Sequence, residues 1–171
     1  MVTIAACGGS STASSSGSTS RPTTATPTPS HAVSGSAVDP CALVTAADLR
    51  ALAGSDPGQP KASTAPVPGG ATAKVCTWTT ASWGFVVEVQ PGDRSSFDAA
   101  GSAAPSPGKV VPIPNLGDAV FEIQSPSLVT LAFLKGAVLV VLLYTRFSPD
   151  PSQIGAKLAQ LGLTVAGRLS V

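Results

Sequence analysis

The stretch LVTLAFLKGAVLVVLLY at positions 128–144 decides the fold, because its apolar run approaches the length of a membrane-spanning helix. Lys135 interrupts the run near its middle, and a central lysine is costly in hydrocarbon. The parts on either side of Lys135-Gly136 have the length of strands, and the second part is rich in valine, which favours strands. The stretch therefore predicts a β-hairpin that turns near Lys135-Gly136, with both strands buried on both faces, rather than a membrane span.

The other predicted strands lie on the N-terminal side of this hairpin. Residues 75–80 and 83–90 read as two strands, and the second alternates apolar and polar side chains. Residues 119–124 favour another strand, and residues 109–114 favour a short edge strand because prolines remove ladder donors. Residues 56–70 are rich in Pro and Gly and predict an irregular loop.

The N-terminal and middle helices are predicted from their end signals. Thr45 and Asp48 have the spacing of a capping box, and Gly54 ends the helix that they begin. Asp93 can cap a short middle helix that runs through Ala100.

The last helix has a clear start, with Asp150 as its cap and Pro151 at its first position. Gly162 is expected to end it, and residues 163–169 to follow as a short strand or a packed tail. The order of elements predicts an α+β fold. It is a mostly antiparallel sheet of about five to seven strands with N-terminal, middle and C-terminal helices packed on it.

The N-terminus has the pattern of a bacterial lipobox, Ile4-Ala5-Ala6-Cys7, in which the cysteine becomes lipidated. A secretory signal has a charged region and an apolar region, and only six residues precede Cys7, so we expect these regions to be encoded upstream. The alternative is a chance cysteine in a cytosolic protein. Lipidation, for example with palmitate, predicts a protein anchored through Cys7 to the outer face of the cytoplasmic membrane.

Composition divides the chain into three parts. Residues 1–7 are the remnant of the lipoprotein signal, residues 8–37 form a Ser/Thr/Pro-rich tether that is expected to be disordered, and residues 38–171 form a single globular domain. The tether contains almost no apolar side chain to offset the entropy of ordering it.

The chain has three cysteines, and lipidation of Cys7 leaves Cys41 and Cys76 as a pair. Outside the cytoplasm such a pair is expected to oxidise to a disulfide, whereas a cytosolic protein would hold two buried free thiols. The separation of the two cysteines and the lack of a histidine partner argue against a metal site.

The sequence carries little sign of catalysis. The domain at 38–171 has no histidine and no phosphate-binding or cofactor motif, and no Lys/Arg run favours a nucleic-acid partner. Ser106 and Lys109 match the S-x-x-K pattern but lie in a Pro/Gly loop. Glu88 and Glu122 lie on predicted strands and could face each other as in a glycosidase, although strand glutamates are usually exposed.

Two further groups of side chains have a structural and a functional interpretation. Asp118 is expected to bond the backbone of its own turn rather than to serve a function. Trp78, Trp83 and Tyr144 could line an apolar ligand pocket, although large aromatic side chains in strands usually belong to the core.

Three groups of residues form a combination of motifs: Asp39-Pro40-Cys41, Cys76-Thr77-Trp78, and Leu116-Gly117-Asp118-Ala119-Val120-Phe121. With them, from about Val38 onward, the chain resembles a large family of actinobacterial secreted lipoproteins classed as a domain of unknown function. That family typically has a lipobox, a Ser/Thr/Pro tether and glycine where this chain has Asn115. The resemblance implies a Cys41–Cys76 disulfide and an envelope location, and it implies no reaction.

These observations favour a non-catalytic envelope lipoprotein whose domain binds a small apolar ligand or an envelope partner protein, without a cofactor. A structural or surface-interaction module is the second hypothesis. An envelope hydrolase with an unrecognised site is the third. A buried pocket lined by Trp78 or Trp83 with a few polar groups would favour the first hypothesis, and a filled core with a flat polar surface would favour the second. A carboxylate with a strongly raised pKa inside a cleft would favour the third.

Overall fold

The computed structural model describes residues 37–67, 70–102, 113–146 and 151–169. Cys7, the lipobox and nearly all of the predicted tether lie outside these residues. The S-x-x-K pattern, the cap at Asp150 and most of the edge strand predicted at 109–114 also lie outside them.

The described domain is built on one six-stranded sheet in which every pair of neighbours is antiparallel, in the order β1-β2-β3-β6-β5-β4. The predicted α+β fold with a mostly antiparallel sheet is therefore confirmed. The strands are β1 Lys61–Pro66, β2 Thr72–Thr79, β3 Trp83–Pro91, β4 Ala119–Ser125, β5 Leu128–Lys135 and β6 Val138–Arg146.

In the described ranges, four helices pack on this sheet, at the N-terminus, in the middle and at the C-terminus as predicted. Three of them, α1, α2 and α4, contribute to the larger core on one face, and α3 covers part of the other face. The helices are α1 Pro40–Leu43, α2 Ala46–Ala53, α3 Arg94–Ser102 and α4 Pro151–Arg168.

The apolar stretch at 128–144 forms the hairpin of β5 and β6, as predicted. Gly136 has a φ of +58° in the two-residue turn, a conformation that glycine adopts at little cost. Lys135 is half-buried, and its Nζ donates hydrogen bonds to the carbonyl oxygens of Ala166 (2.7 Å) and Leu169 (3.1 Å) at the end of α4. The lysine that interrupts the apolar run thus supplies hydrogen-bond donors for carbonyl groups at the C-terminal end of α4.

No helix in the described part of the chain is long and apolar enough to cross a membrane.

Helix α4 extends six residues beyond Gly162 to Arg168, so the predicted end at Gly162 and the predicted strand or packed tail at 163–169 were wrong. Gly162 lies where α4 approaches the sheet. A Cβ at this position would come within 2.7 Å of Leu131 Cδ2 and 3.1 Å of Leu116 Cδ2. The glycine therefore serves close packing rather than termination, and the buried side chains continue through Ile154, Leu158, Leu161 and Val165.

Strand β1 lies inside the segment that was predicted as an irregular loop, and that prediction was wrong in part. Its residues are mostly exposed and have low strand propensity. Pairing with β2, from Lys61 opposite Thr77 to Pro66 opposite Thr72, holds the segment extended. Its lysine and proline suit an edge strand.

The turn at Leu116-Gly117-Asp118 fits against the β5–β6 hairpin. Leu116 is 1% exposed, and Gly117 has a φ of +70° at a point where a Cβ would collide with the Leu134 carbonyl oxygen. Asp118 Oδ2 accepts a hydrogen bond from the Gly136 backbone N–H at 2.8 Å. The expectation that Asp118 bonds its own turn was therefore wrong, because the carboxylate caps a neighbouring hairpin instead.

Asp48 links the N-terminal helices to the end of α4. The predicted capping box with Thr45 is present, and Arg168 Nη1 also donates to Asp48 Oδ2 (2.6 Å) and to the Leu43 carbonyl oxygen (2.6 Å). Burial alone would raise the pKa of the Asp48 carboxyl, but the hydrogen bonds from Arg168 and Thr45 outweigh it and lower that pKa. The first and last helices are thus joined over the same face of the sheet.

Candidate binding site

The register of the sheet divides its side chains between two faces. Phe85 lies opposite Trp78 and Tyr144, and this row belongs to the core under α1, α2 and α4. The intervening positions point to the other face because side chains alternate along a strand. Two rows on that second face are Thr79–Gly84–Thr145–Leu128 and Thr77–Val86–Leu143–Thr130.

All residues of these two rows except Thr130 line an open groove of about 620 Å³, together with the turn at 80–82. We call it the sheet groove. Every described residue that lines it belongs to a strand or to a turn between strands, so none of the described helices contributes to its lining. Its volume lies in the range of small-molecule sites. Its lining is predominantly apolar and includes Thr77, Val86, Leu128, Leu143, Thr145 and Arg146.

Gly84 lies in the lining of the sheet groove, between Thr79 and Thr145 on the neighbouring strands. A Cβ at this position would come within 2.8 Å of Thr145 Oγ1, which donates a hydrogen bond to the Gly84 carbonyl oxygen at 3.3 Å. Glycine inside a strand weakens it, and such glycines often mark a site of close approach by a ligand or backbone. Gly84 therefore leaves a notch in the face where a larger side chain would fill the groove.

The three aromatic residues that the sequence singled out lie in the core on the helix side of the sheet, each less than 5% exposed. Trp83 stacks against Tyr144 with ring centroids 6.1 Å apart, and its Nε1 donates to Ser55 Oγ at 2.8 Å. Trp78 packs against Phe85. Trp78 and Trp83 are among the residues that line the groove, whereas Tyr144 is not. Contact of these rings with a ligand stays a prediction.

Tyr144 is fully buried, and its hydroxyl has no hydrogen-bond partner in the described structure. Burial raises the pKa of this hydroxyl, and the charge of nearby Arg146 opposes the increase. The hydroxyl therefore stays protonated at neutral pH. The Tyr144 side chain contributes its apolar ring to the core.

Glu88 and Glu122 do not face each other, so the carboxylate pair that the sequence allowed is not formed. Glu88 lies opposite Val75 and Val141 on the groove side, whereas Glu122 lies opposite Leu131 on the helix side. Side chains alternate between the two faces of a sheet along each strand, and the register places Glu88 and Glu122 on opposite faces.

Glu122 is also buried, at 4% exposure, although strand glutamates are usually exposed. Gln124 Nε2 donates to its Oε1 at 2.8 Å. Gly155 of α4 lies over both side chains, and a Cβ there would collide with them. The glycine thus makes room for a polar pair beneath α4.

A disulfide joins Cys41 of α1 to Cys76 of β2, as predicted. Cys76 is fully buried in the centre of the core, and Cys41 packs against that core from the helix side. The bond therefore fixes the first helix on the sheet, on the face opposite the sheet groove.

A second cavity of about 510 Å³ lies between α3 and β4. Phe97, Phe121 and Ile123 supply its apolar lining. Arg94 and Asp98, which form an ion pair at 3.0 Å, supply its charged lining.

In the described ranges, no group of three or more His, Cys, Asp or Glu side chains is placed to hold a metal ion.

Sequence reasoning did not find the sheet groove. Gly84, Val86 and Thr145 lie in no motif, and the face that they share with Thr77 becomes visible only when the register of four strands is known. Gly84 inside an otherwise alternating strand was the one available signal.

Comparison with known proteins identifies a family. Residues 2–138 match the model of a family described as "Protein of unknown function (DUF3558)". No curated protein and no solved structure is significantly similar to the chain. The matched residues include the disulfide, the turn at Gly117 and most strands of the sheet. Because the match spans more than half of its 171 residues, this chain belongs to the DUF3558 family of proteins of unknown function.

Proposed function

We propose that this protein is a lipid-anchored protein of the cell envelope whose domain binds a small apolar ligand in the sheet groove without catalysing a reaction. The groove is the observation that carries the proposal. It offers an aliphatic floor formed by Val86, Leu128 and Leu143, with threonine hydroxyls at its sides. Apolar area removed from water in such a groove contributes about 25 cal/mol per Å² before the costs of binding.

The lipobox and the composition of the N-terminal segment support the location. Acylation of Cys7 attaches the chain to the outer face of the cytoplasmic membrane. A Ser/Thr/Pro-rich chain with the length of residues 8–37 would span about 30 Å as a random coil, enough for the domain to stand clear of the membrane surface. A protein held this way can receive apolar molecules from the membrane or from an envelope partner protein.

Filling the groove is expected to abolish ligand binding while the fold is kept. We predict that Gly84→Val weakens binding of octanol at least about tenfold, because the branched side chain occupies the middle of the groove. Valine has high strand propensity, and Thr145 Oγ1 can rotate away, so the domain stays folded. Isothermal titration calorimetry of the purified domain measures the affinity.

Ser63→Val is the matched control, because Ser63 is an exposed residue of β1 on the same face but outside the groove. This variant should bind octanol like the wild type. Equal affinity for octanol in wild type and Gly84→Val would contradict the proposal. A domain that sediments as a dimer, and that Gly84→Val converts to a monomer, would instead assign the face to a second copy of the chain.

A further inference from the structure

Glu88 lies beside the sheet groove, in the row that follows Thr77–Val86–Leu143 on the same face. Its neighbours across the strands are Val75 and Val141, both aliphatic. Two residues along a strand span about 7 Å, so a ligand lying along β3 from Gly84 reaches this carboxylate within two rows. Glu88 is therefore the first charged group that a ligand chain in the groove would meet in that direction.

The carboxylate of Glu88 is half-buried and has neither an ion pair nor a side-chain hydrogen bond among the described residues. Its surroundings disfavour the charged form, and this burial raises the pKa of Glu88. Gln90, two residues further along β3, has a buried Oε1 that also has no described partner. This part of the face thus offers two acceptors that lack donors.

Two described positive side chains lie near the path of such a ligand. Arg146 lines the sheet groove beyond Thr145, at the end away from Glu88. Lys61 of β1 lies opposite Thr77, in the same row as Val86. It is exposed at the sheet edge and forms no ion pair with Glu88 in the described structure. Arg146 and Lys61 are both exposed, and water screens an exposed charge much more than a half-buried one. A ligand head group in the row of Glu88 therefore interacts most strongly with the carboxylate.

We propose that Glu88 binds the head group of the groove's ligand, and that this ligand is an amphiphile with a cationic, hydrogen-bond-donating head and an alkyl chain. The chain lies over Val86, Leu143 and Gly84, and the head donates to the Glu88 carboxylate. This assignment rests on the proposed function, because it needs a ligand in the sheet groove. It extends that function by naming the ligand's charge and the residue that selects it.

Three probes with the same chain and different head groups test this assignment: octylammonium, octanol and octanoate at neutral pH. The wild-type domain should bind octylammonium about tenfold more tightly than octanol, the effect of one charge-assisted hydrogen bond at a partly buried site. Octanoate should bind most weakly. Glu88→Gln should bring the affinities for octylammonium and octanol within about threefold and leave the octanol affinity unchanged. Lys61→Ala is the matched control and should keep the wild-type order.

Each outcome bears on one claim. If octanol binds and Gly84→Val abolishes that binding, but octylammonium is not preferred or Glu88→Gln keeps the preference, the head-group assignment is overturned and the proposed function stands. Tightest binding of octanoate, lost in Lys61→Ala, would assign the head group to Lys61 instead. If none of the probes binds, the proposed function fails and this inference fails with it.

Discussion

Replacing Gly117 by alanine is expected to lower the free energy of unfolding by about 2–5 kcal/mol. The first contribution is the left-handed backbone at a φ of +70°, which costs an L-residue roughly 1–2 kcal/mol. The second is the collision of the new Cβ with the Leu134 carbonyl oxygen. That oxygen belongs to β5, which is paired on both sides, and it accepts a hydrogen bond from the Asp118 N–H at 2.6 Å, so it cannot move aside.

Gly58→Ala separates the two contributions. Gly58 also has a φ of +70°, but a Cβ there would meet nothing within 4 Å. This variant should lose only the roughly 1–2 kcal/mol of backbone strain. Urea unfolding of both variants measures the difference between them. Equal losses would show that the close approach between the Gly117 turn and the hairpin does not stabilise the domain.

Loss of the Cys41–Cys76 disulfide is expected to have an effect of similar size. The bond closes a loop with a sequence separation of 35 residues, for which the chain-entropy model gives about 3.8 kcal/mol. The free energy of unfolding of the wild-type domain should therefore fall by about 3–4 kcal/mol when a reductant is added. The melting temperature should fall with it.

The double variant Cys41→Ala/Cys76→Ala is the control for this effect. It should have the lower stability of the reduced wild type, with a small further loss because Cys76 is fully buried. Its stability should not respond to the reductant. A wild-type domain with the same stability in oxidising and reducing buffer would mean that the bond contributes nothing to the fold.

The elements that were predicted correctly are marked by residues close together in the sequence. The hairpin at 128–144 was predictable because Lys135-Gly136 interrupts an apolar run and β-branched residues follow it. Helix α2 was predictable because Thr45 and Asp48 lie at capping-box spacing. The disulfide followed from counting the cysteines together with the resemblance to a family.

The elements that the sequence missed depend on partners far along the chain. β1 has no strand signal of its own and is extended only because β2 pairs with it. Gly162 resembles a helix end, and only the proximity of Leu131 and Leu116 shows that it is a packing position. The sheet groove requires the register of four strands, and Glu122 is buried only because Gly155 allows α4 to lie over it.

The central claim is that an envelope-anchored domain carries an apolar ligand in its sheet groove. Its most direct test is mass spectrometry of the full-length protein isolated from its own envelope in mild detergent, for wild type and Gly84→Val side by side. We predict an acyl modification on Cys7 in both proteins, and an alkyl-chain amphiphile that is recovered with the wild type and absent from Gly84→Val. An unmodified Cys7, or the same bound lipids in both proteins, would contradict the account.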